Sequence, residues 1–95
     1  MAELALDVED TDGIEVTVRY FAAARAACGA ESETVVLRPG ATMAELIEKL
    51  AAAGTRLATV LERCSYLCDG IAVRDETKPL RSGNTIDVLP PFAGG

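Results

Sequence analysis

The chain has 95 residues, enough for one compact hydrophobic core and too few for a second domain. Apolar residues make up 49% of it, as in an ordinary globular protein, and no uninterrupted apolar run approaches the length that crosses a bilayer, so no membrane partner is expected. The formal charge of −6 is concentrated in Glu3, Asp7, Glu9, Asp10 and Asp12, which leaves ten acids against nine bases in the body and no basic face for nucleic acid.

Residues 1–13 have neither a basic leader nor a long apolar stretch, so they do not read as a secretory signal, and a cytoplasmic location is expected. This acidic segment reads as a disordered or loosely attached extension. At Ile14 the pattern becomes strict alternation. Ile14, Val16, Val18 and Tyr20 lie on one side of a half-buried strand, with Glu15, Thr17 and Arg19 on the other. Phe21 to Cys28 is alanine-rich and stops at Gly29, which suits a short helix. Glu33 to Leu37 reads as a second strand, ended by Pro39-Gly40.

Thr42 and Glu45 have the spacing of a capping box, and Met43, Leu46, Ile47 and Leu50 follow at helical intervals until Gly54, taken as the helix stop. Leu46, Ile47 and Leu50 are expected to form the helical side of the core. Leu57 to Arg63 suits a further turn or two of helix. Tyr66 to Val73, broken by Asp69-Gly70, has the chemistry of a hairpin. Leu80 is an isolated apolar anchor. Ser82-Gly83-Asn84 turns the chain into a last strand, Thr85 to Leu89. This order predicts an α+β fold, a mixed sheet with one principal helix on one face, over residues 14–89.

Cys28, Cys64 and Cys68 are odd in number and lack Cys-x-x-Cys spacing, and the chain has no histidine, so a metal site is not expected. Reduced thiols are the plain reading. Cys64 and Cys68, four apart, would share a face if they lay on a helix. Without histidine there is no ordinary general base for a serine or cysteine nucleophile, so a self-contained hydrolase is not expected.

Residues 90–95, Pro90-Pro91-Phe92-Ala93-Gly94-Gly95, follow the last strand. The prolines cannot extend a sheet ladder and stiffen the chain, so they predict a projecting arm. Glycine lacks a Cβ, so Gly94 and Gly95 can pass through a narrow channel and leave the Gly95 carbonyl open to attack. A carboxylate there can be activated by attack on the α-phosphorus of ATP, giving a mixed anhydride that a sulfur nucleophile opens with loss of AMP. The chain has no glycine-rich phosphate loop, so no bound cofactor is expected, and ATP must be held by a partner.

Val18-Arg19-Tyr20-Phe21-Ala22-Ala23-Ala24-Arg25 and Leu89-Pro90-Pro91-Phe92-Ala93-Gly94-Gly95 resemble the two ends of the MoaD and ThiS family of sulfur carriers, more on the MoaD side. The resemblance covers residues 14–95 and implies a ubiquitin-like β-grasp fold. It implies that Gly95 is adenylated by a ubiquitin-activating-type (MoeB-like) enzyme and converted to a thiocarboxylate with sulfur from a donor such as a cysteine desulfurase or rhodanese-like protein. It further implies that the tail enters a larger (MoaE-like) catalytic subunit of molybdopterin synthase and donates sulfur to cyclic pyranopterin monophosphate, with this chain non-catalytic. On that pattern Gly95 carries the sulfur, Gly94 and Ala93 thread, and Phe92 anchors the tail or closes the core. Two positions depart from the family pattern: Ser82-Gly83-Asn84 replaces an Asp-Gly-Asp turn, and Cys68-Asp69-Gly70 replaces a Val-Asn-like step. A carrier for thiamine or cysteine synthesis, or a modifier joined to lysines, are the alternatives. The partner surface is expected to be the exposed sheet face plus the tail, and largely apolar.

Deleting residues 1–12 should leave the melting temperature nearly unchanged. A truncated chain that lost cooperative unfolding would show that the leader belongs to the fold.

Overall fold

The computed structural model describes residues 13–91. The acidic leader, apart from Gly13, and the tail from Phe92 onward lie outside the described residues.

The alternating segment forms β1, Ile14–Tyr20, with Val16, Val18 and Tyr20 buried. Helix α1, Ala22–Cys28, follows and is stopped by Gly29, whose φ of 86° lies in the left-handed region. Strand β2, Ser32–Leu37, pairs antiparallel with β1. Helix α2, Met43–Ala51, is capped as expected, with Thr42 Oγ1 accepting a hydrogen bond from the Glu45 N–H at 3.3 Å. Helix α3, Thr55–Leu61, packs against both α1 and α2. Strands β3, Ser65–Cys68, and β4, Ile71–Ala72, form the expected hairpin. Its turn has φ of 50° at Asp69 and 84° at Gly70, the paired positive values that an Asp-Gly step suits. The last strand is β5, Thr85–Leu89.

The sheet order is β2-β1-β5-β3-β4. All neighbours are antiparallel except the central pair, β1 and β5, which are parallel. One face meets the helices, and Met43, Leu46, Leu50, Leu57 and Leu61 join Val16, Val18, Tyr20, Ile86 and Val88 in one core. This is the β-grasp arrangement, a mixed sheet curled over a principal helix. Leu80 is buried, as its isolation between polar residues suggested, and its N–H donates to the Ala41 carbonyl at 2.7 Å.

Three details differ from the sequence reading. Ile47 is half-buried at the rim of the core, while Met43 takes its place beside Leu46 and Leu50. Gly54 does not stop α2: the helix ends at Ala51 with Ala52 still right-handed, and Gly54, at φ 170°, is extended backbone leading into α3. Cys64 sits in the turn after α3 and Cys68 on β3, so the two do not share a helical face.

The two departures from the family pattern touch one another. Asp69 Oδ2 accepts from Asn84 Nδ2 at 2.7 Å, and Asp69 Oδ1 accepts from the Thr85 N–H at 2.7 Å, tying the hairpin to the start of β5. A neutral Asn at 84 can donate to Asp69, where a second carboxylate would repel it. Among the described residues, no helix is long and apolar enough to cross a membrane.

Leu46 is fully buried at the centre of α2's inner face. Leu46→Ala should lower the unfolding free energy by about 2–5 kcal/mol in urea denaturation. A loss well under about 1 kcal/mol would mean the site collapses around the cavity rather than depending on this side chain.

Candidate functional site

The residues singled out for chemistry, Gly95 with Gly94, Ala93 and Phe92, lie outside the described residues. The structure does place the strand that leads to them. Strand β5 lies between β1 and β3, and its inward side chains, Ile86 and Val88, are fully buried. Because β5 runs parallel to β1, it finishes where β1 hands over to α1. There the Phe21 N–H donates to the Val88 carbonyl at 3.3 Å, and Leu89 stands opposite Ser65. Pro90 is half-buried and Pro91 exposed.

Alternation puts the other set of strand side chains on the outer face, away from the helices. One row crosses the whole sheet in register: Ser32, Arg19, Asp87, Leu67 and Ala72. Thr34, Thr17 and Thr85 form a parallel row. The expectation of a largely apolar face is therefore corrected. Its centre is polar, and its apolar residues are Val36 on the edge strand β2 and Leu67, Leu89 and Ala72 toward the other side, with exposed Phe21 beyond the end of β1.

Arg19 and Asp87 form a two-pronged ion pair, Nε to Oδ1 at 2.6 Å and Nη2 to Oδ2 at 2.9 Å. The Arg19 side chain is 52% exposed and that of Asp87 only 9%, so the cation covers the carboxylate. The hydrogen bond to Asp87, and then its charge, raise the Arg19 guanidinium above its ordinary value. Arg19 Cζ also lies 5.7 Å from the centre of the Phe21 ring, within cation–π range. Sequence reasoning missed this cluster. Both residues were legible as outward positions on strands, but nothing local announces that positions 68 apart meet.

The remaining reactive groups are held quiet. Burial, then a hydrogen bond to Glu33, raises the Tyr20 hydroxyl far above its usual value, so it stays protonated and donates to Glu33 Oε2. All three cysteines are free and half-buried. Burial pushes the Cys64 and Cys68 thiols up, and the Asp69 charge adds to this at Cys68. Cys64 Sγ donates to the Val60 carbonyl at 3.3 Å. Among the described residues no group of three or more His, Cys, Asp or Glu could hold a metal ion.

The profile of the ThiS family matches residues 18–95. A molybdopterin synthase sulfur carrier subunit from Chlamydomonas reinhardtii is 30% identical over 83 residues, covering 86% of this chain and 100% of the relative. The HVO 2177 protein of Haloferax volcanii superposes with a TM-score of 0.77 at 28% identity, over 87% of this chain and 88% of that one. In a complex of subunits 1 and 2 of the molybdopterin-converting factor from Helicobacter pylori, one chain superposes with a TM-score of 0.66 at 24% identity. That likeness, over 86% of this chain and 100% of that one, is one of fold alone.

Thiolate is the reactive form of cysteine, and raised pKa values shrink its share at neutral pH. Iodoacetamide at neutral pH should therefore modify Cys64 and Cys68 more slowly in the folded protein than in urea, and the gap should narrow as pH rises through the thiol range. Equal rates in both states at neutral pH would contradict this environment.

Proposed function

Because this chain belongs to the ThiS family, we propose that it is the sulfur carrier of molybdopterin synthesis, the small subunit of a molybdopterin synthase, with the sulfur borne on Gly95. One observation carries the reading: the family match spans residues 18–95, from the core of β1 to Gly95, so it takes in both the body and the tail. The similarity to a molybdopterin synthase sulfur carrier subunit favours molybdopterin over the thiamine, cysteine and protein-modifier alternatives.

In this reading residues 14–89 are the carrier body, 90–95 the arm, and the chain acts in the cytoplasm. The Gly95 carboxylate attacks the α-phosphorus of ATP on a MoeB-like partner, and pyrophosphate leaves. The outer sulfur of a persulfide on a cysteine desulfurase or rhodanese-like donor then attacks the acyl carbon, and AMP leaves. A thiol next cleaves the resulting acyl disulfide, forming a disulfide with the donor sulfur and releasing the thiocarboxylate. The resulting thiocarboxylate sulfur is delivered in a larger, MoaE-like subunit to the pterin precursor, and water restores the carboxylate. The body contributes no acid, base or metal to these steps. It offers a rigid sheet to dock, and β5 fixes where the arm begins. Gly94 and Ala93 keep the arm narrow, and Phe92 seats it at the rim of the docking surface. The Helicobacter pylori relative was solved with its second subunit, an assembly of the kind this reading calls for.

Adding residues after Gly95 should abolish product formation while leaving the melting curve unchanged, because a peptide bond cannot attack ATP. Deleting Gly95 should be nearly as damaging. The new terminus would fall about 3.3–3.6 Å short, and a misplacement of about 1 Å already costs roughly 100-fold in rate. Extended protein that supported synthesis at the wild-type rate would rule out the terminal carboxylate.

A further inference from the structure

We propose that Arg19 is a specificity residue of the docking face: held by Asp87 and flanked by Phe21, it selects a partner surface that presents a carboxylate within an apolar collar. The proposal rests on the carrier reading, in which this face docks on a larger subunit.

Stability does not account for the pair. Placing a carboxylate where it is nearly buried costs its hydration, and an ion pair there adds little over two apolar side chains of similar size. What the pair achieves is geometry. Asp87 takes the Nε and Nη2 side of the guanidinium, while Nη1 and the other Nη2 hydrogen have no partner among the described residues. That remaining edge is a fork suited to a second carboxylate. The exposures of 52% and 9% mean that the face presents the cation and hides the anion.

The setting limits what can bind. Arg19 is the only base at an outward position on the described strands, in a chain of net charge −6. A polyanion such as nucleic acid or an anionic membrane is held by several bases on one face, and this face offers one. A single carboxylate on a protein surface needs only one, and Leu67, Leu89 and Phe21 offer apolar contact around it. Phe21 reaches this position through a costly turn: the next residue, Ala22, has φ of 50°, a left-handed conformation that alanine avoids. Strain of this kind at a non-glycine residue concentrates at working surfaces.

The test is calorimetric titration of the full chain against the cognate large catalytic subunit, at low and high salt. Three variants are compared with wild type: Arg19→Met, Arg19→Lys, and Arg19→Met with Asp87→Leu. The double variant removes both charges and so leaves no orphaned carboxylate, and its melting curve checks the fold. Arg19→Met and the double variant should each bind about 10-fold more weakly or worse, with a flatter salt dependence, and Arg19→Lys should recover only part of the loss. If the double variant bound as tightly as wild type, Arg19 would serve only to neutralise Asp87, and the proposal would fall while the carrier reading stood. If wild type itself did not bind the large subunit, the carrier reading would fall and take the proposal with it.

Discussion

The parallel pairing of β1 with β5 is the constraint on which the rest of this structure depends. It sets Thr17 against Thr85 and Tyr20 against Val88, joining the first and last strands at the centre of the sheet. Parallel neighbours need a long crossover, and here every other element lies within it. The pairing buries Val16 and Val18 beside Ile86 and Val88 as the floor of the core, on which α2 rests. On the opposite face the same register brings Arg19 to Asp87. Because the strands are parallel, β5 also finishes beside Phe21, so core, outer face and the start of the arm follow from a single pairing.

The body this creates is chemically quiet. Its buried hydroxyls are spent on structure, with Tyr20 donating to Glu33 and Tyr66 to the Leu61 carbonyl at 3.1 Å. Burial is the foremost reason that both phenols stay protonated far above the usual tyrosine range. No buried side-chain nitrogen or oxygen among the described residues lacks a partner. A carrier benefits from such a body, since an activated acyl group is safest away from competing nucleophiles. The reactive step can then sit on the arm, with its catalysis supplied by partners.

What was legible in the sequence was local. Alternation located β1, the Thr42-to-Glu45 spacing located the start of α2, and Asp69-Gly70 located the hairpin turn, because each signal is written within a few residues. Gly54 misled because glycine also serves as an extended joint: α2 ends at Ala51, three residues before it, and Gly54 leads into α3. The character of the outer face was not legible, since it depends on which strands lie side by side. Thr17, Thr85, Arg19 and Asp87 make a polar centre only after a pairing across 68 positions. For the arm the position is reversed: the chemistry assigned to Gly95 comes from residue types in order and from family resemblance, while the structure supplies the strand that leads to it.

The most direct measurement of the central claim is the intact mass of the full chain after incubation with ATP, the activating enzyme and a sulfur donor. A sulfur carrier gains the difference between one sulfur and one oxygen, and fragmentation places that gain on Gly95. A mass that stayed unchanged under conditions where the enzyme consumed ATP, or a gain that mapped to Cys28, Cys64 or Cys68, would contradict the account.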